Sequence, residues 1–210
     1  MNKLGDLSCN EFLTELASAA PAPGGGGGAA MAGALAAALA SMVANLTIGK
    51  EKFADREPEV KELLEQAEAE RVRLLTLVDE DAAGFNSFMS CYKLPKTTDE
   101  EKAARTAAIR AAAKQAATVP LNIARSSFAV LKLADRLVVS GNPGVITDGA
   151  CSGLLARAAL RCAEYNVRIN LGLTKDEVWN AQAAADLKQL LADAKALETR
   201  LLAVTDKALQ

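Results

Sequence analysis

Residues Pro21 to Lys50 read PAPGGGGGAAMAGALAAALASMVANLTIGK, and from Ala29 to Ile48 they carry no charge over 20 positions. That is membrane-spanning length. Alanine supplies nearly half of the run, however, and Ser41, Asn45 and Thr47 interrupt it, so its hydrophobicity is weak. A helix apolar all round also suits the buried centre of a bundle, where small side chains let neighbouring backbones approach. The expected fold is therefore all-α: a single multihelical bundle, residues 1–210, around a buried central apolar helix.

The flanking sequence supports helices throughout. Alanine, leucine, glutamate, lysine and arginine are the residues that cost least in a helix, and they dominate this chain, while aromatics make up only 4%. Ser8-x-x-Glu11 and Thr98-x-x-Glu101 are capping boxes that open helices. Glu57-Pro58-Glu59 opens another, with Pro tolerated in the first turn and the acids matched to the dipole; it should run to about Tyr92, where Leu94-Pro95 ends it. Pro120 should kink or divide the alanine-rich helix that follows. Ser140 to Gly144 reads as a loop, a helix should begin near Thr147 or Asp148 and reach about Asn170, and Thr174-x-x-Glu177 should cap the last one. No segment alternates with the period of a strand.

Composition excludes several chemistries. The 210 residues include no histidine, so a Ser-His-Asp triad, a Cys-His pair, a His-ligated zinc and a His general base are all absent. With 24 Lys and Arg against 26 Asp and Glu, interleaved rather than pooled, there is no electrostatic footprint for nucleic acid. The four cysteines, Cys9, Cys91, Cys151 and Cys162, show no CxxC spacing and read as thiols of a reducing compartment. MNKLGDLSCNEF lacks the apolar core of a signal peptide. A soluble, cytoplasmic protein is expected.

Polar residues on apolar helix faces are the informative positions. Leu74, Val78, Asp81, Phe85, Phe88 and Tyr92 recur at three- and four-residue steps, which puts Asp81 on an otherwise apolar stripe. A carboxylate there loses hydration and needs a partner or a proton, and the raised pKa that results suits a proton acceptor near neutral pH. A structural pairing with a lysine or a helix end fits the spacing equally. Asn166 and Asn170 share one face with Ser152, Leu155, Ala159 and Ala163, and their amides must hydrogen-bond to a neighbouring helix or to a ligand. Asp148 reads as an N-cap or, following a Gly-Asn-Pro-Gly turn, as a binding residue. The five glycines from Gly24 resemble an anion cradle at a helix start, but no Walker A lysine follows and no strand precedes, so a flexible loop or a close backbone approach explains them as well.

Taken in order, PAPGGGGGAAMAGALAAALASMVANLTIGK, LVDEDAAGF, YKLPKTTDEEKAARTAAI, Val119-Pro120, GNPGVITD and AEYNVRINL resemble the cyclodeaminase/cyclohydrolase family of folate enzymes over essentially the whole chain. The resemblance implies an all-α fold that dimerises around its central helix and a tetrahydrofolate derivative as substrate, with no metal or other cofactor. It places the catalytic acid/base on Asp81, with Asp148 as a second catalytic candidate. It places substrate contacts on Gly24, Gly25, Gly26 and Gly27 of the glycine loop (Pro23 to Gly27), on Lys50, Lys93 and Lys96, and on Asn142, Asn166 and Asn170. The lysines suit the carboxylates of a folate tail, including polyglutamate forms. Cyclodeaminase-type members usually carry Ser where this chain has Gly27, and Thr147-Asp148 replaces the usual Ser-Asp. The glycine favours a free-standing 5,10-methenyltetrahydrofolate cyclohydrolase, with formiminotetrahydrofolate cyclodeaminase as the alternative. A helical scaffold without catalysis is a third reading, against which Asp81, Asn142 and Asp148 argue.

Overall fold

The computed structural model describes residues 3–210. Six helices carry the fold: α1 (Cys9–Leu16), α2 (Gly25–Asn45), α3 (Glu57–Cys91), α4 (Asp99–Ser140), α5 (Ile146–Thr174) and α6 (Glu177–Ala208). Three short 3-10 turns, Leu4–Asp6, Glu51–Phe53 and Pro143–Val145, complete the order, and no strand occurs among the described residues. Both capping boxes form, and Pro58 lies in the first turn of α3.

The uncharged run is the centre of the bundle. α2 packs against α3, α4 and α5. Ala30, Ala36, Ala37, Ala40 and Ala44 are fully buried along it, and at Gly33 an added Cβ would stand 3.0 Å from Leu74 and 3.1 Å from the Ser127 hydroxyl. The absence of side-chain bulk is what lets these helices close in. At one such approach Ser152 Oγ of α5 donates to the Ala36 carbonyl oxygen at 2.7 Å. Ser41 likewise donates to Glu68 Oε1 at 2.6 Å, which disposes of a hydroxyl on a buried face. Larger side chains fill the space outside: Leu74 and Leu77 from α3, Ile123 and Leu131 from α4, Leu160 from α5 and Leu201 from α6 are all buried. Each contributes about 1.5–3 kcal/mol through burial. One strip of α2 stays uncovered, with Leu35 51% and Met42 44% exposed.

Four expectations are corrected. The glycine run is not a loop but a close approach: only Gly24 precedes α2, Gly25 to Gly28 form its first turn, and Gly26 lies so near α3 that a Cβ there would collide with Asp81. Pro120 does not divide α4, which runs unbroken from Asp99 to Ser140. A proline leaves the carbonyl four residues earlier without its helical N–H partner; here Asn170 Nδ2 donates to the Ala116 carbonyl oxygen at 3.1 Å. Asp148 is not an N-cap, since α5 begins at Ile146 after Val145 and places Asp148 in its first turn. Finally, α6 is capped by Asp176, whose Oδ1 accepts from the Trp179 N–H, whereas Thr174 ends α5 and donates to Asn180 Oδ1 at 2.6 Å.

Candidate active site

A cavity of about 280 Å³ opens where the start of α2 meets α3, α4 and α5. Pro21, Ala22 and Gly24 to Gly26 form one side, Asp81, Gly84, Phe85 and Phe88 of α3 another, and Ala116, Val119, Asn166 and Asn170 the rest. The apolar stripe of α3 explains the placement of Asp81. Leu74, Leu77 and Val78 anchor that face in the core, so the next residue along it must project where the core gives way to the cavity. Gly84 then leaves open space, with nothing within 4 Å of where a Cβ would stand, and Phe85 and Phe88 become walls of the cavity rather than core.

Burial holds the Asp81 carboxyl above the ordinary Asp value of 3.8, and the Gly27 N–H, which hydrogen-bonds to it, pulls in the opposite direction. Desolvation is the larger effect. The contact with α2 is tight: a Cβ on Gly26 would stand 2.6 Å from Asp81 Cγ. A Cβ on Gly27 would instead meet Pro23 Cβ at 3.3 Å and lie 4.0 Å from Asp81 Oδ2. Gly24 provides no side-chain cap, and Asp81 of α3 instead accepts from the Gly27 N–H in the first turn of α2. A half-buried carboxylate of raised pKa, beside helix N–H donors and an aromatic wall, is equipped to take and return a proton on a flat ligand.

The two asparagines join this site. Asn166 Nδ2 donates to the Cys162 carbonyl oxygen at 2.9 Å, and Asn170 Nδ2 donates to the carbonyl oxygens of Ala116 and Asn166 at 3.1 and 2.8 Å. Asn170 Nδ2 spends both of its protons on the backbone, which leaves Oδ1 as its uncommitted atom; Asn166 Nδ2 spends one, which leaves it Oδ1 and a second N–H.

The remaining sequence candidates lie elsewhere in the chain. Asn142 accepts from the Gly144 N–H at 3.0 Å, donates through Nδ2 to the Leu46 carbonyl oxygen at 3.1 Å, and receives Thr47 Oγ1 as acceptor for its own N–H at 2.8 Å. It ties the far end of α2 to the α4–α5 turn. Lys50 and Asp148 sit at that same end. Asp148 is 18 residues before Asn166, about 27 Å along α5 at helical rise. Lys93 and Lys96 are exposed in the segment that follows α3. Thus a single chain brings together Asp81, Gly24, Gly25, Gly26, Asn166 and Asn170, with Gly27 against the carboxylate, and leaves Lys50, Lys93, Lys96, Asn142 and Asp148 outside the cavity. Sequence reasoning missed Phe85, Phe88, Gly84, Ala116 and Val119 as lining residues; the aromatic spacing beside Asp81 was the one available signal.

Fold and site together define an all-α protein built on an alanine helix, with a desolvated carboxylate at that helix's glycine start. The formiminotransferase-cyclodeaminase family model matches residues 8–189, and the chain belongs to that family. It is 44% identical over 197 residues to a methenyltetrahydrofolate cyclohydrolase of Methylorubrum extorquens, covering 94% of this chain and 95% of that protein. It is 34% identical to the pig (Sus scrofa) formimidoyltransferase-cyclodeaminase, covering 88% of this chain but 34% of that longer protein. The crystal structure of a formiminotetrahydrofolate cyclodeaminase from Thermotoga maritima superposes with a TM-score of 0.88 at 29% identity, covering 98% of both chains.

Proposed function

We propose that this protein is a methenyltetrahydrofolate cyclohydrolase, hydrolysing 5,10-methenyltetrahydrofolate to 10-formyltetrahydrofolate in one-carbon metabolism. The observation that carries the reading is Asp81, a carboxylate raised by burial and lodged against the first turn of α2. The substrate holds an amidinium cation between N5 and N10. Asp81 lies beside that cation and accepts a proton as water adds to the bridging carbon. The resulting hydroxyl adduct opens when Asp81 returns its proton to N5 and the carbon–N5 bond breaks. The hydroxyl proton departs as the formyl C=O forms, so one proton is released overall. The 44% identity to a full-length cyclohydrolase and the small residue at Gly27 support hydrolysis as the main activity. The Thermotoga neighbour supports a second reading on the same site, in which N10 attacks a 5-formimino carbon and ammonia leaves.

The active form in this proposal is a cytoplasmic homodimer that needs no resident cofactor and takes folates with one or more glutamates. Its four free thiols suit a reducing compartment. The uncovered strip of α2 at Leu35 and Met42 adjoins α5, which exposes Leu154, Tyr165 and Ile169. Packing two copies of this face antiparallel sets the far end of one α2, with Lys50, Asn142 and Asp148, beside the Asp81 cavity of its partner. That arrangement matches the length of α2, about 30 Å, to the separation within one chain. Lys50, Lys93 and Lys96 then serve as point charges for the folate tail.

The test follows the near-UV absorbance of the bridged cation with purified protein. Rapid loss of the band from methenyltetrahydrofolate, without ammonia release from formiminotetrahydrofolate, is expected. Growth of the band from the formimino substrate would reassign the main activity. Light scattering with Met42→Asp tests the dimer: the variant should become monomeric and lose turnover together, and an active monomer would refute the shared site.

A further inference from the structure

The proline inside α4 lies one turn beyond a residue that lines the cavity, and the two facts are connected. Pro120 has no N–H to give the Ala116 carbonyl, and its ring presses on that carbonyl. The freed oxygen accepts from Asn170 Nδ2 of α5 at 3.1 Å, and Ala116, Asn166 and Asn170 all border the cavity. The second proton of the Asn170 amide goes to the Asn166 carbonyl oxygen at 2.8 Å, so the nitrogen is saturated. Asn166 is fixed in the same sense by the Cys162 carbonyl oxygen. Both side chains thereby turn nitrogen to the backbone and leave Oδ1 uncommitted, Asn170 with both amide protons spent and Asn166 with one. An ordinary residue at 120 would return an N–H to Ala116 and compete for the carbonyl that orients Asn170.

We infer that Pro120 is a positioning residue for substrate recognition: it frees the Ala116 carbonyl to orient Asn170, so that Asn166 and Asn170 present a pair of acceptors to the donor edge of the pterin, Asn170 to the 2-amino group and Asn166 to N3–H. This rests on the folate reading above. The pyrimidine ring of a tetrahydropterin carries adjacent donors, N3–H and the 2-amino group. With Asp81 occupied at the amidinium, these two amides are the neutral side-chain acceptors that border the cavity. The pair therefore distinguishes a 2-amino-4-oxo ring from one lacking its donors, and it acts on binding more than on the chemical step.

Calorimetry with 10-formyl-5,8-dideazafolate and its 2-desamino-2-methyl counterpart tests this without turnover. Wild type should prefer the 2-amino compound by about tenfold, the scale of one well-made neutral hydrogen bond. In N170L, and in both P120A and P120V, that preference should fall toward unity while affinity for the 2-methyl compound changes little. P120V retains more apolar volume than P120A, so an effect shared by the two reflects the restored N–H and not a cavity. With the natural substrate, KM should rise in these variants while kcat is retained. A wild-type preference ratio in N170L or in both Pro120 variants would overturn the inference, as would equal loss for both ligands. Failure of wild type to bind either compound would overturn the folate reading and this inference with it.

Discussion

Asp81→Asn yields a folded protein that binds substrate and turns it over about 10² to 10⁴-fold more slowly, the usual contribution of a positioned proton carrier. Asparagine keeps the shape and still accepts from the Gly27 N–H, but it cannot take a proton from water. Stability should move in the opposite direction. Burial raises the carboxyl above 3.8 in the folded state, so between 3.8 and the folded value the native protein holds the proton that the unfolded chain has released. Stability contributed by this group is therefore present at low pH and lost as pH rises through the folded pKa. At neutral pH the variant, which has no charge to bury, should melt at or above the wild-type temperature. That difference should close as acid protonates Asp81 in the wild type. The acid limb of kcat/KM should likewise sit higher than an exposed aspartate would place it, and vanish in the variant. A melting temperature lowered at neutral pH, with activity retained, would mean that Asp81 is a structural partner and the proton carrier lies elsewhere.

The same residue shows why part of the site could be read from sequence. A carboxylate on a stripe with Leu74, Val78, Phe85 and Phe88 carries a tertiary obligation that periodicity exposes, and Asn166 and Asn170 carry the same mark. Asn142 entered only through the family resemblance, and its side-chain amide is spent on Leu46 and Gly144 while its backbone N–H goes to Thr47. The pattern detects a polar group that must be satisfied, and says nothing about whether protein or ligand satisfies it. Phe85 and Phe88 escaped because an aromatic at core spacing reads as core; they face a cavity only because Gly84, Gly25 and Gly26 withhold side chains nearby. Lys50 and Asp148 could not be placed by local reasoning, since helix length alone separates them from Asp81 within the chain.

The helix plan was more legible because its signals are local. Capping boxes close within three residues, and the uncharged α2 followed from composition. Where local signals failed, a distant partner decided. Thr174 and Asp176 are both competent caps, but Asp176 is also paired with Lys114 at 2.8 Å while Thr174 turns to Asn180. Pro120 reads as a break, yet α4 passes through it with the freed carbonyl held by a side chain 54 positions away from Ala116. Dividing α4 there would have released Asn170 from its acceptor and removed one wall of the cavity.

Gly26→Ala is expected to cost turnover about 10²-fold, by displacing a carboxylate it does not chemically alter. Gly26 is buried in the first turn of α2, and the new methyl would stand 2.6 Å from both Asp81 Cγ and Oδ2. Real Cβ contacts are not that short, so something must move. α2 is held immediately downstream by Ala29 and Ala30, and α3 is held upstream of Asp81 by Leu77 and Val78, all of them buried. The helices resist separation, and the Asp81 side chain is left to rotate away from the cavity. Gly28→Ala, two positions on, provides the comparison. Its Cβ would meet Leu16 Cδ2 at 3.8 Å, an ordinary contact, and alanine in a helix is about 1 kcal/mol better than glycine. G28A should therefore melt higher with wild-type turnover, while G26A loses kcat even though it receives the same favourable change in helix propensity. Equal activity in the two variants would show that Asp81 works from a position away from Gly26, and the close approach of α2 to α3 would then be packing alone.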